Sequence, residues 1–158
     1  MYDLLMLLEE NARYNTAELA AMLNKTEAEV STEMDKYKAD GVIKSYTTII
    51  DWDKTERDYV QARIELKVTP KKDRGFDELA MQIAQFDEVQ SLYLMSGGYD
   101  LALTVNGRSF KEIASFVTFR LAPLDAVQST TTHFVLRKYK DKGVIIESSD
   151  DRDGRVLL

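Results

Sequence analysis

The chain has no cysteine, one histidine, one tryptophan, two prolines and seven glycines in 158 residues. Without cysteine there is no disulfide framework, no thiolate nucleophile and no thiolate metal site. The lone His133 does not make a histidine metal centre, and a single histidine on a strand is more often structural than catalytic. There is also no phosphate-binding loop, no nucleophile elbow and no histidine-carboxylate cluster. An enzyme is therefore unsupported, and no metal or other cofactor is expected. No stretch approaches the roughly 18 apolar residues of a membrane span, and Met1-Tyr2-Asp3 lacks the basic start of a signal peptide. These absences fit a cytoplasmic protein with no membrane partner. The 21 basic and 27 acidic residues leave a net charge of -6, which gives no overall attraction to nucleic acid.

Where glycine is scarce, a Gly-Gly pair stands out. Ser96-Gly97-Gly98-Tyr99-Asp100-Leu101 lies between two strand-like runs, Val89–Met95 and Leu101–Val105. Such a pair marks a hairpin, and glycine there serves either a positive φ or close approach of another group to the backbone. Tyr99 and Asp100 add an aromatic face and a carboxylate, which suit a small cationic or zwitterionic molecule. A plain tight turn is the competing reading.

In the first third, Leu4, Leu5, Leu8 and Ala12 share one helical face. Asn15 and Glu18 are spaced almost like a capping box, ahead of a short helix carrying Leu19, Ala20 and Leu23. Thr26 and Glu29 form a Thr-x-x-Glu box that opens a third helix with Val30, Met34 and Tyr37 on one side. Gly41 stands where a terminating glycine belongs. Val42–Ile50, rich in β-branched and aromatic residues, reads as a β-ribbon. The pattern suits a helix-turn-helix with a wing, and equally a small dimerising helical bundle.

Asp51–Tyr59, with six charged residues in nine, reads as a linker. Val60, Ala62, Ile64, Leu66 and Val68 then alternate with polar residues as a half-buried strand, ended by Pro70. Phe76, Leu79, Ala80, Ile83 and Phe86 repeat at helical spacing. The two strands around the glycines follow. Ile113, Phe116, Val117 and Leu121 make another helix, closed by Pro123, and Val127–Tyr139 is a last strand. The order strand, helix, strand, strand, helix, strand is the ferredoxin-like pattern. The fold class is thus α+β. The expected parts are a winged helix-turn-helix at residues 1–51, a linker at 52–59, a ferredoxin-like domain at 60–142 and a tail at 143–158. The sheet face without helices is expected to offer apolar residues, so a homodimer or larger homo-oligomer should cover it. In the tail, Val144-Ile145-Ile146 and Val156-Leu157-Leu158 flank an acidic loop and suit a swapped or edge-pairing hairpin, with a frayed tail as the alternative.

This arrangement resembles the Lrp/AsnC, or feast/famine, family of transcription regulators. The resemblance rests on Asn11-Ala12-Arg13, Glu18-Leu19-Ala20 and Gly41-Val42-Ile43 with Tyr46. It continues through Ser96-Gly97-Gly98-Tyr99-Asp100-Leu101 to the closing strand with Val127, Thr130, Thr132, Val135-Leu136, Lys138 and Lys140. It spans residues 3–142. The resemblance implies a DNA-binding regulator whose C-terminal domain senses an amino acid between dimers. It puts Thr26, Ala28, Ser31, Thr32 and Lys36, with Lys44, against double-stranded DNA. It puts Gly97, Gly98, Tyr99, Asp100 and Leu101 around the effector, with Thr130 and Thr132 contributing. Backbone N–H groups at the glycines would hold a carboxylate, and Asp100 would pair with an ammonium group. For the threonines, β-propensity alone is the alternative.

One feature departs from the family. Lys25–Asp40 carries three lysines against five acids, a net of -2, and Glu33 stands where the family often has arginine. Phosphate neutralisation dominates affinity for DNA. A regulator that binds DNA is one reading. The other is an effector-binding oligomer whose acidic helix-turn-helix makes protein contacts.

Overall fold

The computed structural model of the chain describes residues 3–69 and 75–146. Pro70 and the run Val156–Leu158 lie outside the described residues. The chain divides into two compact units, Met1–Thr48 and Ile49–Leu158.

The first unit is three capped helices. Asp3 starts α1 (Leu4–Glu10), its carboxylate accepting from the N–H of Leu5 at 2.7 Å. Asn11 turns extended and ends this helix. Ala12, expected on its inner face, is therefore past the end and exposed. Asn15 and Glu18 form a full capping box on α2 (Thr16–Leu23): each backbone N–H donates to the other's side chain, at 2.8 and 2.9 Å. Asn24, at φ 54°, closes that helix in the left-handed region. Thr26 and Glu29 cap α3 (Glu27–Ala39) in the same reciprocal way. Gly41 follows it at φ 67°, where a side chain would be strained. Leu4, Leu7, Leu8, Leu19, Ala20 and Val30 form the buried core, with Met34, Tyr37 and Ile43 packed on it.

The expected β-ribbon does not form. Residues 42–50 carry no ladder, and Val42, Tyr46 and Ile50 are exposed. A ribbon needs two strands and a turn between them. This stretch has β-propensity along its length but no residue that folds it back.

The second unit opens with a short 3-10 turn, Trp52–Lys54, inside the segment read as a linker. Trp52 stacks on Tyr59 at 5.8 Å between ring centroids, and the Arg57 guanidinium lies 4.4 Å from the Trp52 ring. The sheet has four antiparallel strands in the order β2-β3-β1-β4: β1 (Val60–Val68), β2 (Val89–Leu94), β3 (Leu101–Gly107) and β4 (Val127–Phe134). Two helices cover one face, α4 (Asp77–Ala84) and α5 (Phe110–Phe116). The second runs on as one π-turn, Val117–Leu121. Because side chains alternate along a strand, Ala62, Ile64 and Leu66 of β1 sit in rows with Val105, Leu103 and Leu101 of β3. All are buried with Leu79, Ile83, Ile113, Phe116 and Leu121.

The same alternation overturns the expected apolar open face. Its rows are Ser91–Thr104–Arg63–His133 and Tyr93–Ala102–Glu65–Thr131. His133 Nε2 lies 3.6 Å from a Glu65 oxygen on it. The apolar positions are committed to the helices, and the other face is mainly polar. At the end of the described chain, β5 (Lys140–Asp141) pairs with β6 (Val144–Ile145). Their turn is Lys142-Gly143, with φ 44° and 86°, as a two-residue hairpin requires. Among the described residues Val144-Ile145 thus finds a partner just upstream, at Lys140–Asp141.

Candidate functional site

The face of α3 follows from what its other side buries. Val30, Met34 and Tyr37 pack inward, so at about 100° per residue the opposite stripe is Ala28, Thr32, Asp35 and Ala39. All four are exposed, as are the flanking Ser31 and Lys36. Thr26 is occupied by the cap: its hydroxyl donates to Glu29 at 2.8 Å and accepts from the Glu29 N–H at 3.3 Å. Lys44 folds back beside the end of α3, its Nζ 2.9 Å from where a Cβ on Gly41 would stand.

Glu33 is not on the outward stripe. It is drawn along the helix flank by two donors, Lys25 Nζ on one oxygen and the Tyr37 hydroxyl, at 3.1 Å, on the other. The hydrogen bond to Glu33 raises the pKa of Lys25 and, for the same reason, that of Tyr37. The Thr26 backbone N–H, then its hydroxyl, hold the Glu29 carboxyl below the usual range. Glu27 accepts from the Thr16 hydroxyl at 3.4 Å. The acids that made this helix look unfit for DNA therefore serve largely to fold the unit.

At the other candidate site, β2 and β3 meet in the loop 96–99, closed by Met95 N–H donating to the Asp100 carbonyl at 2.8 Å. Gly97 and Gly98 are exposed, and neither has positive φ. A Cβ built on either meets no atom within 4 Å. Of the two uses open to these glycines, a left-handed backbone is thus absent, and the chain's own fold does not demand glycine at either position. Among the described residues, the N–H groups of Gly97, Gly98 and Tyr99 find no acceptor. Lys67 reaches the turn and donates to the Gly98 carbonyl at 3.2 Å.

Asp100 has a structural task. Its N–H donates to the Leu66 carbonyl at 2.9 Å, and its Oδ2 accepts from the Val68 N–H, also at 2.9 Å. The carboxylate takes the place of a backbone acceptor for Val68, just where the β1–β4 register shifts and Gln128 of β4 is the extra residue. Leu101 is fully buried in the core, so only its backbone faces the turn. Thr130 and Thr132 pair with Leu66 and Ile64, on the helix-covered face. Thr130 is two strands from Leu101, roughly 10 Å away.

Sequence reasoning missed Lys67, which is 31 residues from Gly98 and has no local signal. It also missed the Lys25–Glu33–Tyr37 cluster, although Glu33 and Tyr37 are spaced one helical turn apart. A groove lined by Asp58, Glu88, Arg108, Lys111, Phe119 and Arg120 lies near the far end of β3, about 20 Å along that strand from the glycines. None of the expected site residues falls in it.

The chain is thus a capped three-helix unit followed by an α+β unit with a glycine-bearing β2–β3 loop. The match to known proteins agrees. Residues 61–145, more than half of the chain, match the Lrp/AsnC ligand binding domain. The HTH-type transcriptional regulator YugG of Bacillus subtilis is 45% identical over 99% of this chain and 94% of its own length. The chain belongs to the Lrp/AsnC family. Among solved structures, PH0061 has a TM-score of 0.76 at 24% identity, covering 90% of this chain and 93% of its own. The transcriptional regulator NMB0573 of Neisseria meningitidis, solved with L-Met, has a TM-score of 0.71 at 21% identity, covering 89% and 94%. These likenesses support the α+β fold with a ferredoxin-like second unit.

Proposed function

We propose that the chain is a cytoplasmic, homo-oligomeric transcription regulator that binds double-stranded DNA through α3 and responds to an amino acid at the glycine turn. In this reading residues 1–51 hold DNA, 52–59 link, 60–142 sense and assemble, and 143–158 form a tail. The observation that carries it is the disposition of the α3 acids. With Glu27, Glu29 and Glu33 engaged inside the unit, the outward stripe is mostly small and neutral with Lys36 beside it. That argues against the reading in which an acidic helix serves protein contacts alone.

The sensing half is supported by two glycines that the fold does not need, three exposed or half-exposed N–H groups with no acceptor among the described residues, and Lys67 at one turn. Together they suit a carboxylate, and the free oxygen of Asp100 suits an ammonium group. NMB0573, a protein of the same fold solved with L-Met, makes amino acids the first class to test. Assembly is supported by exposed Leu94, Met95, Leu136, Tyr139 and Ile145, not by the open sheet face. Fluorescence anisotropy on a genomic duplex pool, titrated with salt, tests the DNA half. Binding that weakens steeply with salt supports it, and no binding at low salt refutes it.

A further inference from the structure

Of the five acids in the third-helix segment, one is left on the outward stripe. Glu27, Glu29 and Glu33 have partners inside the unit, and Asp40 lies past the last turn as the C-cap residue. Asp35 remains. Its side chain is 72% exposed, and its contact is Lys38, 3.5 Å away on the same helix. Its neighbours on the stripe are methyl groups. Ala28 and Ala39 carry nothing else, and the Thr32 hydroxyl donates to the Ala28 carbonyl at 2.8 Å, so its proton is not available outward. Glu27–Ala39 holds no arginine, asparagine or glutamine, so the side chains on it that could take guanine by paired bonds are Lys36 and Lys38, neither of them on the stripe itself. The stripe therefore offers acceptors and methyls, with Lys36 at its flank.

A carboxylate held among phosphates costs affinity for every sequence and is recovered only where a base presents a donor. In the major groove the donors are the amino groups of cytosine and adenine. Adenine sets the N7 acceptor beside its amino group, which repels a carboxylate; cytosine has a carbon-bound hydrogen there. We propose that Asp35 is a specificity-determining residue that accepts from the amino group of a cytosine, with Ala28 and Thr32 against neighbouring bases. This rests on the DNA-binding reading above.

The test is selection from a random-sequence duplex pool by the full chain and by Asp35→Asn and Asp35→Ala. Among the described residues the exposed Asp35 side chain pairs with Lys38 alone, so both variants should melt as the wild type does. The wild type should enrich a cytosine at a fixed place in its motif. Asp35→Asn, which both donates and accepts, should shift that one place to adenine, and Asp35→Ala should leave it unselected. Other positions should stay the same. On a single duplex, replacing that cytosine should weaken the wild type about 5- to 150-fold and Asp35→Ala hardly at all. If the wild type selects no sequence, the DNA-binding reading fails and this inference falls with it. If the wild type selects a motif that both variants reproduce at every position, the role of Asp35 is overturned and DNA binding stands. Loss of all selection in both variants with unchanged melting also overturns it, because removing an acid cannot weaken attraction to phosphates.

Discussion

Replacing Gly98 by alanine separates the two reasons for which a glycine can stand in a turn. If it serves the chain's own backbone, alanine destabilises the fold. If it leaves room for a ligand, alanine does not. Gly98 has no positive φ, and a Cβ on it meets no atom within 4 Å. The Lys67 bond goes to its carbonyl, which alanine keeps. Alanine also restricts the unfolded chain, a gain of about 0.4–1 kcal/mol where the native conformation accepts it. The melting temperature should hold or rise by roughly 2–5 °C. The ligand's carboxylate, however, would meet a methyl group where it should reach backbone N–H groups. Losing one charge-assisted hydrogen bond costs about 1.5–3 kcal/mol, or roughly 10- to 150-fold in Kd. Calorimetric titration with a panel of amino acids, beside a thermal melt, reads both quantities. A loss of stability above about 1 kcal/mol would show that the fold needs this glycine. Unchanged binding would show that no ligand approaches it. Either result refutes the reasoning.

Gly107→Ala should behave in the opposite way: its Cβ would stand 2.9 Å from Cγ1 of the buried Ile113, and overpacking of this kind costs about 1–3 kcal/mol, read as a lower denaturant midpoint. Asp100→Ala strands the Val68 N–H at a part-buried site and should cost about 1–3 kcal/mol, whereas Asp100→Asn keeps an acceptor and should cost less. The first unit should lose stability at both ends of the pH scale. Glu29 has a folded pKa below its ordinary 4.5, so its contribution is complete above pH 4.5 and disappears as pH falls through the folded value. Lys25 and Tyr37 are raised above 10.5 and 10.0, so theirs is complete below those values and disappears as pH rises through the folded ones. Circular dichroism melts across pH should show both limbs, the acid one flattened by Glu29→Gln and the alkaline one by Glu33→Gln; limbs unmoved by these changes would contradict the assignment.

Much of this molecule is written locally. The two capping boxes, the glycine after α3 and the alternation of β1 depend on residues within a few positions, and each is present in the structure. The sideways direction of Glu33 was also legible, since the stripe Val30, Met34 and Tyr37 already placed it on the helix flank next to the core and off the outward face; counting charge along the helix hid this. Two of the larger expectations failed for a physical reason. Val42–Ile50 has the propensity of a strand but no turn to pair it with itself. The open sheet face was assigned apolar residues that the period of two sends to the helices. The tie of Asp100 to Val68 and the reach of Lys67 to Gly98 were not legible at all, because they join positions more than 30 residues apart.

The central claim is that one chain couples amino-acid binding at the glycine turn to DNA binding by α3. The direct measurement is the affinity of the full chain for a selected duplex at fixed salt, with and without each amino acid, for the wild type and Gly98→Ala. Coupling between sites is typically about 1–3 kcal/mol, so at least one amino acid should shift the wild-type Kd roughly 5- to 150-fold, in either direction, and leave Gly98→Ala unmoved. An affinity that no amino acid changes, or a shift equal in both proteins, would contradict the account.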